Sequence, residues 1–483
     1  MIDPTAQPDS GRRPDAVAVR PRWQQLALPS ILLVATLLRL LHLDRHSLWY
    51  DEVVSMRLAR TDGPRALLAS LFQIDATRAP LHPLLLQAWL RLFGTSELAG
   101  RSFSAACGVL TVLVVYLLGR EAFDARTGRW AAWLAATSPA LVRYSQEVRM
   151  YAWFVLVTAL SWWFLLRLRR SSSRWCLEAF AASQVAMAYS HPLALLMLAT
   201  QVGVILAFRR SFRVSWRGWF VAEMAVGLVI APWVGHYLDH PPESTSGRLP
   251  LRFLLGLPIE FVGGDSTALL LCVALIAFGL YAGGRSFASI DAILLTWFAV
   301  PTLVLYLASR VGPPVFGPAR YNLYVAPAYL LLLARGLVSL RWWYARLVLA
   351  LAGLILALPM IESTVYAPDL KADWRAARRY LDGFDFEDTP VTVVVVSADP
   401  RHNVEVETAR EYLAGSGARV VSAEEASANP GGLRTDRETI VIFAVGVRGR
   451  EAVVVLPHRL ADFYDPRIEK NFHGLRFLMT SVP

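Results

Sequence analysis

Charge is scarce in this sequence: 18% of the 483 residues are Asp, Glu, Lys or Arg, 55% are hydrophobic, and the mean hydropathy is +0.41. That balance excludes an ordinary soluble globular chain. Cysteine is scarcer still. The only three, Cys107, Cys176 and Cys272, lie far apart inside apolar segments, which excludes a disulfide framework and leaves them as small buried hydrophobes. No Cys-x-x-Cys spacing supports a zinc site. An internal repeat is missing too, so nothing suggests the inverted halves of a transporter. Net charge (+10) and pI (about 9.7) are basic, but the arginines are not interleaved with aromatics as on a nucleic-acid surface, and nucleic acid is set aside as a partner.

What the sequence does have is apolar blocks, at about 26–43, 102–119, 127–142, 151–166, 175–190, 193–208, 218–237, 266–283, 288–308, 321–335 and 343–361. At roughly 16 to 21 residues each they match the helix length that crosses about 30 Å of hydrocarbon, and they predict about eleven spans. The arginines fall in short segments between them: Arg120, Arg126 and Arg129; Arg167, Arg169, Arg170 and Arg174; Arg209, Arg210, Arg213 and Arg217; Arg335, Arg341 and Arg346. With alternating spans these all face one side, which the positive-inside rule makes the cytoplasm. The tail 1–25 shares that side, and its following block lacks a small-x-small cleavage site, so it reads as an uncleaved first span.

The opposite side then receives the long loop 44–101, short loops near 143–150, 238–265 and 309–320, and everything after 361. Within 44–101, Val53–Phe72 and Leu81–Phe93 read as amphipathic stretches lying in the membrane interface. Beyond Ile361, helical patterns (Lys371–Leu381, His402–Ala414) alternate with β-rich runs (Val391–Val396, Thr439–Val445, Val453–Leu456), which predicts a small extracytoplasmic α/β domain over 362–483. The membrane part is 26–361.

Three outer segments carry chemistry-bearing residues. Trp49-Tyr50-Asp51-Glu52 follows the first span. Acids there are often only solvated, but a carboxylate held at a low-dielectric boundary can have its pKa raised for work as a base. Tyr144-Ser145-Gln146-Glu147-Val148-Arg149-Met150-Tyr151 fills a very short loop; Glu147 and Arg149 can simply pair with each other, or Arg149 can meet a phosphate while Glu147 and Gln146 orient a metal or a sugar. Gly317-Pro318-Ala319-Arg320-Tyr321-Asn322 again sets Arg beside Tyr at the membrane edge, where a lone Arg commonly snorkels and where a lipid phosphate would also sit. Weaker candidates are His82, Arg101 and His191.

Taken in order, Ser47-Leu48-Trp49-Tyr50-Asp51-Glu52, the Arg101–Gly108 segment, Ser138-Pro139 with Tyr144 to Ala152, Arg320-Tyr321, and Asp373-Trp374-Arg375-Ala376-Ala377 resemble the GT-C glycosyltransferases. The resemblance is to the protein-O-mannosyltransferase-like branch that includes bacterial lipid A aminoarabinose transferases and lipopolysaccharide sugar transferases. It implies a GT-C fold in a bacterial cytoplasmic membrane and an inverting transfer from a polyprenyl-phosphate sugar, with polyprenyl phosphate leaving. It also implies catalytic roles for Asp51, Glu52 and Glu147. Tyr50, His82, Arg101, Tyr144, Gln146, Arg149, Arg320 and Tyr321 are expected to bind substrate. A divalent cation on Asp51, Glu52 and Glu147 is left open, as are the sugar and the acceptor. The rival is a transporter or flippase of a lipid-linked substrate, which should place charge near the midplane, where only Arg39 and Glu223 lie. A non-catalytic partner in envelope synthesis would need neither Asp51 nor Glu147.

Overall fold

The computed structural model describes residues 22–74, 79–240, 250–283, 289–311, 319–367, 371–383, 391–397, 404–416, 418–422, 425, 439–445, 468–472 and 475–481. The tail before Arg22, Gly317, Pro318 and the expected strand Val453–Leu456 lie outside them. The chain is mainly helical: α1 (Arg22–Leu40), α2 (Tyr50–Ala59), α3 (Gly63–Ile74), α4 (Leu81–Phe93), α5 (Glu97–Ala122), α6 (Ala125–Thr137), α7 (Pro139–Tyr144), α8 (Tyr151–Arg167) and α9 (Arg174–Ala188). Then follow α10 (Ala194–Ala207), α11 (Trp216–Asp239), α12 (Leu251–Val262), α13 (Ser266–Ala282), α14 (Ser289–Val311), α15 (Ala326–Ser339), α16 (Trp343–Ile361), α17 (Trp374–Leu381) and α18 (Val404–Leu413).

Every apolar block lies in a helix, but the helices are not eleven equal crossings. Among the described residues four, α5, α11, α14 and α16 with its continuation to Tyr366, are long and apolar enough to span alone. The pair α12 and α13 passes the same test together but bends by 80°, and the apolar parts of α1, α8, α10 and α15 are shorter. The block expected at 127–142 is broken: Pro139 has no N–H to continue α6, and Ser138 begins α7 instead, its Oγ accepting from Leu141 N at 3.5 Å. That break explains the charge inside the first span. Arg39, 0% exposed, donates to the carbonyls of Ala135 and Ala136 at 3.1 Å each, satisfying acceptors at the α6 end where the helix dipole favours a cation.

The close approach of α5 and α6 depends on two glycines. A Cβ on Gly119 of α5 would lie 2.6 Å from Gly128 Cα of α6, and one on Gly128 would lie 2.5 Å from the Tyr116 carbonyl oxygen. Small residues at such crossings let backbones touch where lipid supplies no hydrophobic force between helices. Gly128→Val should therefore lower the thermal midpoint in detergent, at a cost of about 1–3 kcal/mol. Gly203→Ala, whose Cβ would meet nothing within 4 Å, is the matched control and should melt like wild type.

The two ends of the bundle differ in character. Arg170 reaches Glu121 (3.6 Å), Arg169 reaches Ser289 (2.6 Å), and Arg335 pairs with Asp291 (2.8 Å) over the Phe123 ring, so the arginine-rich loops gather at one end. At the other end α2, α3 and α4 form a short helical layer. After a π turn at Glu362–Tyr366, a five-stranded sheet is built in the order β2-β1-β3-β5-β4. Strands β1 (Val391–Ser397), β2 (Arg419–Ser422) and β3 (Thr439–Val445) are parallel; β4 (Ile468–Phe472) and β5 (Leu475–Ser481) close it as an antiparallel hairpin. Trp374, Ala377 and Leu381 of α17 and Val406, Ala409 and Leu413 of α18 pack on Val393 and Val395. Ion pairs join this part to α2: Arg57 to Glu407 at 2.9 Å and Arg60 to Glu411 at 2.6 Å.

Candidate active site at the acidic end of α2

The acidic pair lies in the first turn of a helix and not in the extended loop its position suggests. Glu52 sits at the third helical position and accepts from the Trp49 N–H at 3.4 Å, closing the turn. It is 0% exposed. Its Oε1 takes Arg101 Nε (3.1 Å) and the Val148 N–H (3.0 Å), and its Oε2 takes Arg101 Nη2 (3.3 Å) and Lys371 Nζ (2.6 Å). Burial alone would push this carboxyl up; the Arg101 and Lys371 charges and their hydrogen bonds outweigh it and hold it down at about 2. Glu52 is thus the joint of three segments. It ties α2 to α5, to the 145–150 turn and to the residues that follow α16.

Arg101 has no donor left for a ligand. Besides its two bonds to Glu52, its Nη1 and Nη2 donate to the carbonyls of Leu43 (3.1 Å), His46 (2.8 Å) and Ser47 (3.3 Å), which uses all of its N–H groups. Gln146 likewise turns its amide nitrogen to the backbone: its Nε2 lies 3.2, 3.2 and 3.0 Å from the carbonyls of Leu38, Arg39 and Leu41 and closes the end of α1. Both residues, expected at the substrate, hold the backbone that carries the site.

Asp51, one residue before Glu52, turns toward a different group. Its Oδ2 lies 3.4 Å from Arg149 Nη2, and Arg149 also donates to the Asp51 carbonyl (3.3 Å) and lies 3.5 Å from Ser55 Oγ. Arg149 covers the Tyr151 ring at 5.8 Å. The Tyr151 ring meets Tyr144 at 5.5 Å and Tyr321 at 6.5 Å. Arg320 lies over Tyr321 (5.0 Å) and Trp49 (6.0 Å), close enough to Asp51 and Arg149 to feel the charge of each. Two guanidinium groups from distant parts of the sequence thus converge beside one carboxylate, walled by Trp49, Tyr144, Tyr151 and Tyr321. Burial works against both charges, but the Asp51 carboxylate beside them outweighs it, and the pKa of each guanidinium is moved up. Arg149 Nε and Arg320 Nε are nevertheless buried with no hydrogen-bond partner.

The remaining expected residues spread around this centre. Glu147 is buried 4.0 Å from Arg143, and burial pushes its carboxyl up. His82 packs on Phe103 at 5.7 Å, and Tyr50 packs with Val54, Leu58 and Leu71 on the α2–α3 side. His191 stacks on Phe154 at 5.0 Å and accepts from the Leu193 N–H at 3.1 Å; burial, then the Arg149 charge, hold it neutral, with its pKa down at about 3. Among the described residues no three His, Cys, Asp or Glu side chains converge as a cation site. Glu52 is occupied by cationic side chains and N–H groups, so Asp51, Glu52 and Glu147 do not assemble as the metal set left open above. Lys371 was missed by sequence reasoning. Its only signal was its place two residues before the Asp373-Trp374-Arg375 motif, whose Arg375 donates to the carbonyl of His46 at 3.0 Å and pairs with Glu97.

A family model described as dolichyl-phosphate-mannose-protein mannosyltransferase matches residues 77–236. Among solved structures the chain is similar to ArnT from Cupriavidus metallidurans in the apo state, at 13% identity, a TM-score of 0.62, and coverage of 95% of this chain and 98% of that one. It is also similar to ArnT from the same organism bound to undecaprenyl phosphate, at 14% identity, TM-score 0.60 and the same coverage. The Archaeoglobus fulgidus oligosaccharyltransferase in its apo form aligns at 13% identity and TM-score 0.53 over 84% of this chain and 65% of that one. Comparison of the sequence with curated proteins gives no match. The fold is shared with ArnT and, over a smaller part, with the archaeal oligosaccharyltransferase, in keeping with the sequence resemblance, and its apolar helices make the chain a multi-pass membrane protein.

Proposed function

We propose that this chain is a glycosyltransferase that takes a sugar from a polyprenyl-phosphate carrier and passes it to an acceptor on the extracytoplasmic face of the membrane. The observation that carries the proposal is the convergence of Arg149 and Arg320, each with an unpartnered buried Nε, beside Asp51 at the end of the bundle away from the arginine-rich loops. A guanidinium fork matches a phosphate, and two of them in a partly buried site suit a phosphate that gains charge as its bond to the sugar breaks. One related fold is solved with undecaprenyl phosphate, and the matching family is described by a dolichyl-phosphate sugar.

The reaction follows from these groups. The Asp51 carboxylate takes the proton of the acceptor's hydroxyl, and the freed oxygen attacks the anomeric carbon opposite the phosphate. The carbon–oxygen bond to phosphate breaks, its electron pair stays on the phosphate oxygen, and Arg149 and Arg320 stabilise that charge. Configuration inverts. Glu52 and Arg101 position Asp51 and the 145–150 turn, and Glu147, within that turn, supports it. A flippase fits less well, because the two charges expected near the midplane are accounted for: Arg39 caps the α6 end, and Glu223 accepts from Gln184 at 3.3 Å.

Arg149→Lys and Arg320→Lys should each cut release of undecaprenyl phosphate from an undecaprenyl-phosphate sugar by about 10- to 100-fold while the thermal midpoint stays near wild type, since Lys keeps charge and loses the fork. A wild-type chain in nanodiscs that does not bind undecaprenyl phosphate, or an Arg149→Ala/Arg320→Ala chain that binds it unchanged, would remove the phosphate site. Sidedness has its own test. Reporters fused after Arg170 and after Leu381 should report opposite compartments, with the first cytoplasmic; the same compartment at both points would overturn the orientation.

A further inference from the structure

Asn322 is 0% exposed, yet neither its Oδ1 nor its Nδ2 has a hydrogen-bond partner. The Tyr324 hydroxyl, on a residue 1% exposed, is unpartnered as well. Folded interiors leave few polar groups in this condition, because an amide removed from water without a replacement bond costs free energy that Leu or Met at the same place would not. The segment that bears them is part of the site. Arg320 faces Trp49, Tyr321 meets Tyr151 at 6.5 Å, and Tyr324 meets Phe154 at 5.5 Å, so residues 320 to 324 run along the first turn of α8 with Asn322 between its two aromatic contacts. Trp297 Nε1 holds the segment in place by donating to the Tyr324 carbonyl at 3.2 Å.

Apart from the Trp49 indole N–H, the orphaned groups here fall into two chemical kinds. Arg149 and Arg320 offer charged N–H groups suited to phosphate. Asn322 and Tyr324 offer neutral groups of both signs: a carboxamide has an acceptor oxygen and two donor hydrogens, which is what two neighbouring hydroxyls of a sugar require, and a phenol adds one donor and one acceptor. Neutral amide and hydroxyl groups recognise alcohols without competing for the anion next to them. Resting on the glycosyl-transfer reading above, we propose that Asn322, helped by the Tyr324 hydroxyl, binds hydroxyl groups of the sugar carried by the lipid phosphate and so selects which sugar is transferred.

The test uses the purified full chain in lipid nanodiscs, with bare undecaprenyl phosphate and a panel of undecaprenyl-phosphate hexoses and pentoses as probes. Wild type should bind at least one sugar-bearing lipid more tightly than the bare lipid. Asn322→Leu should bind bare undecaprenyl phosphate as wild type does, lose about 10- to 100-fold in affinity for the preferred sugar lipid, and melt at a higher temperature, because an orphaned buried amide has become an apolar group. Asn322→Ala should lose the same preference, whatever its melting temperature, which covers a poor fit of Leu. The proposal is overturned if both variants keep the wild-type preference, if Asn322→Leu melts lower and so shows a structural amide, or if wild type prefers no sugar in the panel. Failure of wild type to bind even bare undecaprenyl phosphate removes the glycosyl-transfer reading itself, and this proposal with it.

Discussion

Asp51→Asn should insert and fold as wild type, bind the polyprenyl-phosphate sugar, and transfer it about 10²- to 10⁴-fold more slowly. The size of the loss is that of general-base help to a hydroxyl, a poor nucleophile until its proton is taken. Asn keeps the shape of the side chain, and its carbonyl oxygen can still accept from Arg149, which lies 3.4 Å from Asp51 Oδ2. The fold does not depend on the charge, because Arg149 also donates to the Asp51 backbone carbonyl and lies beside Ser55 Oγ, bonds that the substitution leaves in place. Transfer from a purified lipid donor should be measured beside donor binding on the same preparation. Wild-type turnover would take Asp51 out of the mechanism, and loss of donor binding would make it a residue that only holds Arg149 in place.

Much of this site could be read from the residues, and the exceptions share a cause. Asp51, Arg149 and Arg320 stand out because a charge beside tyrosines at the end of an apolar span has few structural explanations. Arg101 and Gln146 look the same in sequence. What they bond to is mostly backbone carbonyl, at Leu43, His46 and Ser47 for one and at Leu38, Arg39 and Leu41 for the other, and every residue carries a carbonyl, so no pattern in the sequence marks the pairing. Lys371 was illegible for a related reason: its partner Glu52 is 319 positions away. In the fold, the apolar blocks located the helices because span length is set by the membrane. The lengths of individual helices were not legible, since a Ser138-Pro139 break divides the block 127–142, and α12, which meets α13 at an 80° bend, is an apolar helix within the stretch 238–265 expected as a loop.

The second large effect is on stability, at Glu52. Removing one member of a buried charged network leaves the others desolvated and unmatched, which commonly costs 3–5 kcal/mol. Glu52→Ala would strand Arg101, which is 2% exposed, and deprive the Val148 N–H of its acceptor, so the expected result is a strongly lowered thermal midpoint and poor recovery of folded protein. Acid should act on the wild type in the same direction. The Glu52 carboxyl is held at about 2 in the fold against an ordinary 4.5, so what the network contributes is fully present above about 4.5 and is lost as pH falls toward 2. Two double variants separate charge from architecture. Glu52→Ala with Lys371→Met removes one stranded cation and should recover part of the loss. Glu52→Leu with Arg101→Leu also removes a charge pair, but it should recover little, because Arg101 supplies the donors for three carbonyls in the turn before α2. Equal recovery in the two doubles would mean that Arg101 matters only as the counter-charge of Glu52. A wild-type midpoint for Glu52→Ala would mean that the network does not hold the turn, and Asp51 would then owe its position to Arg149 alone.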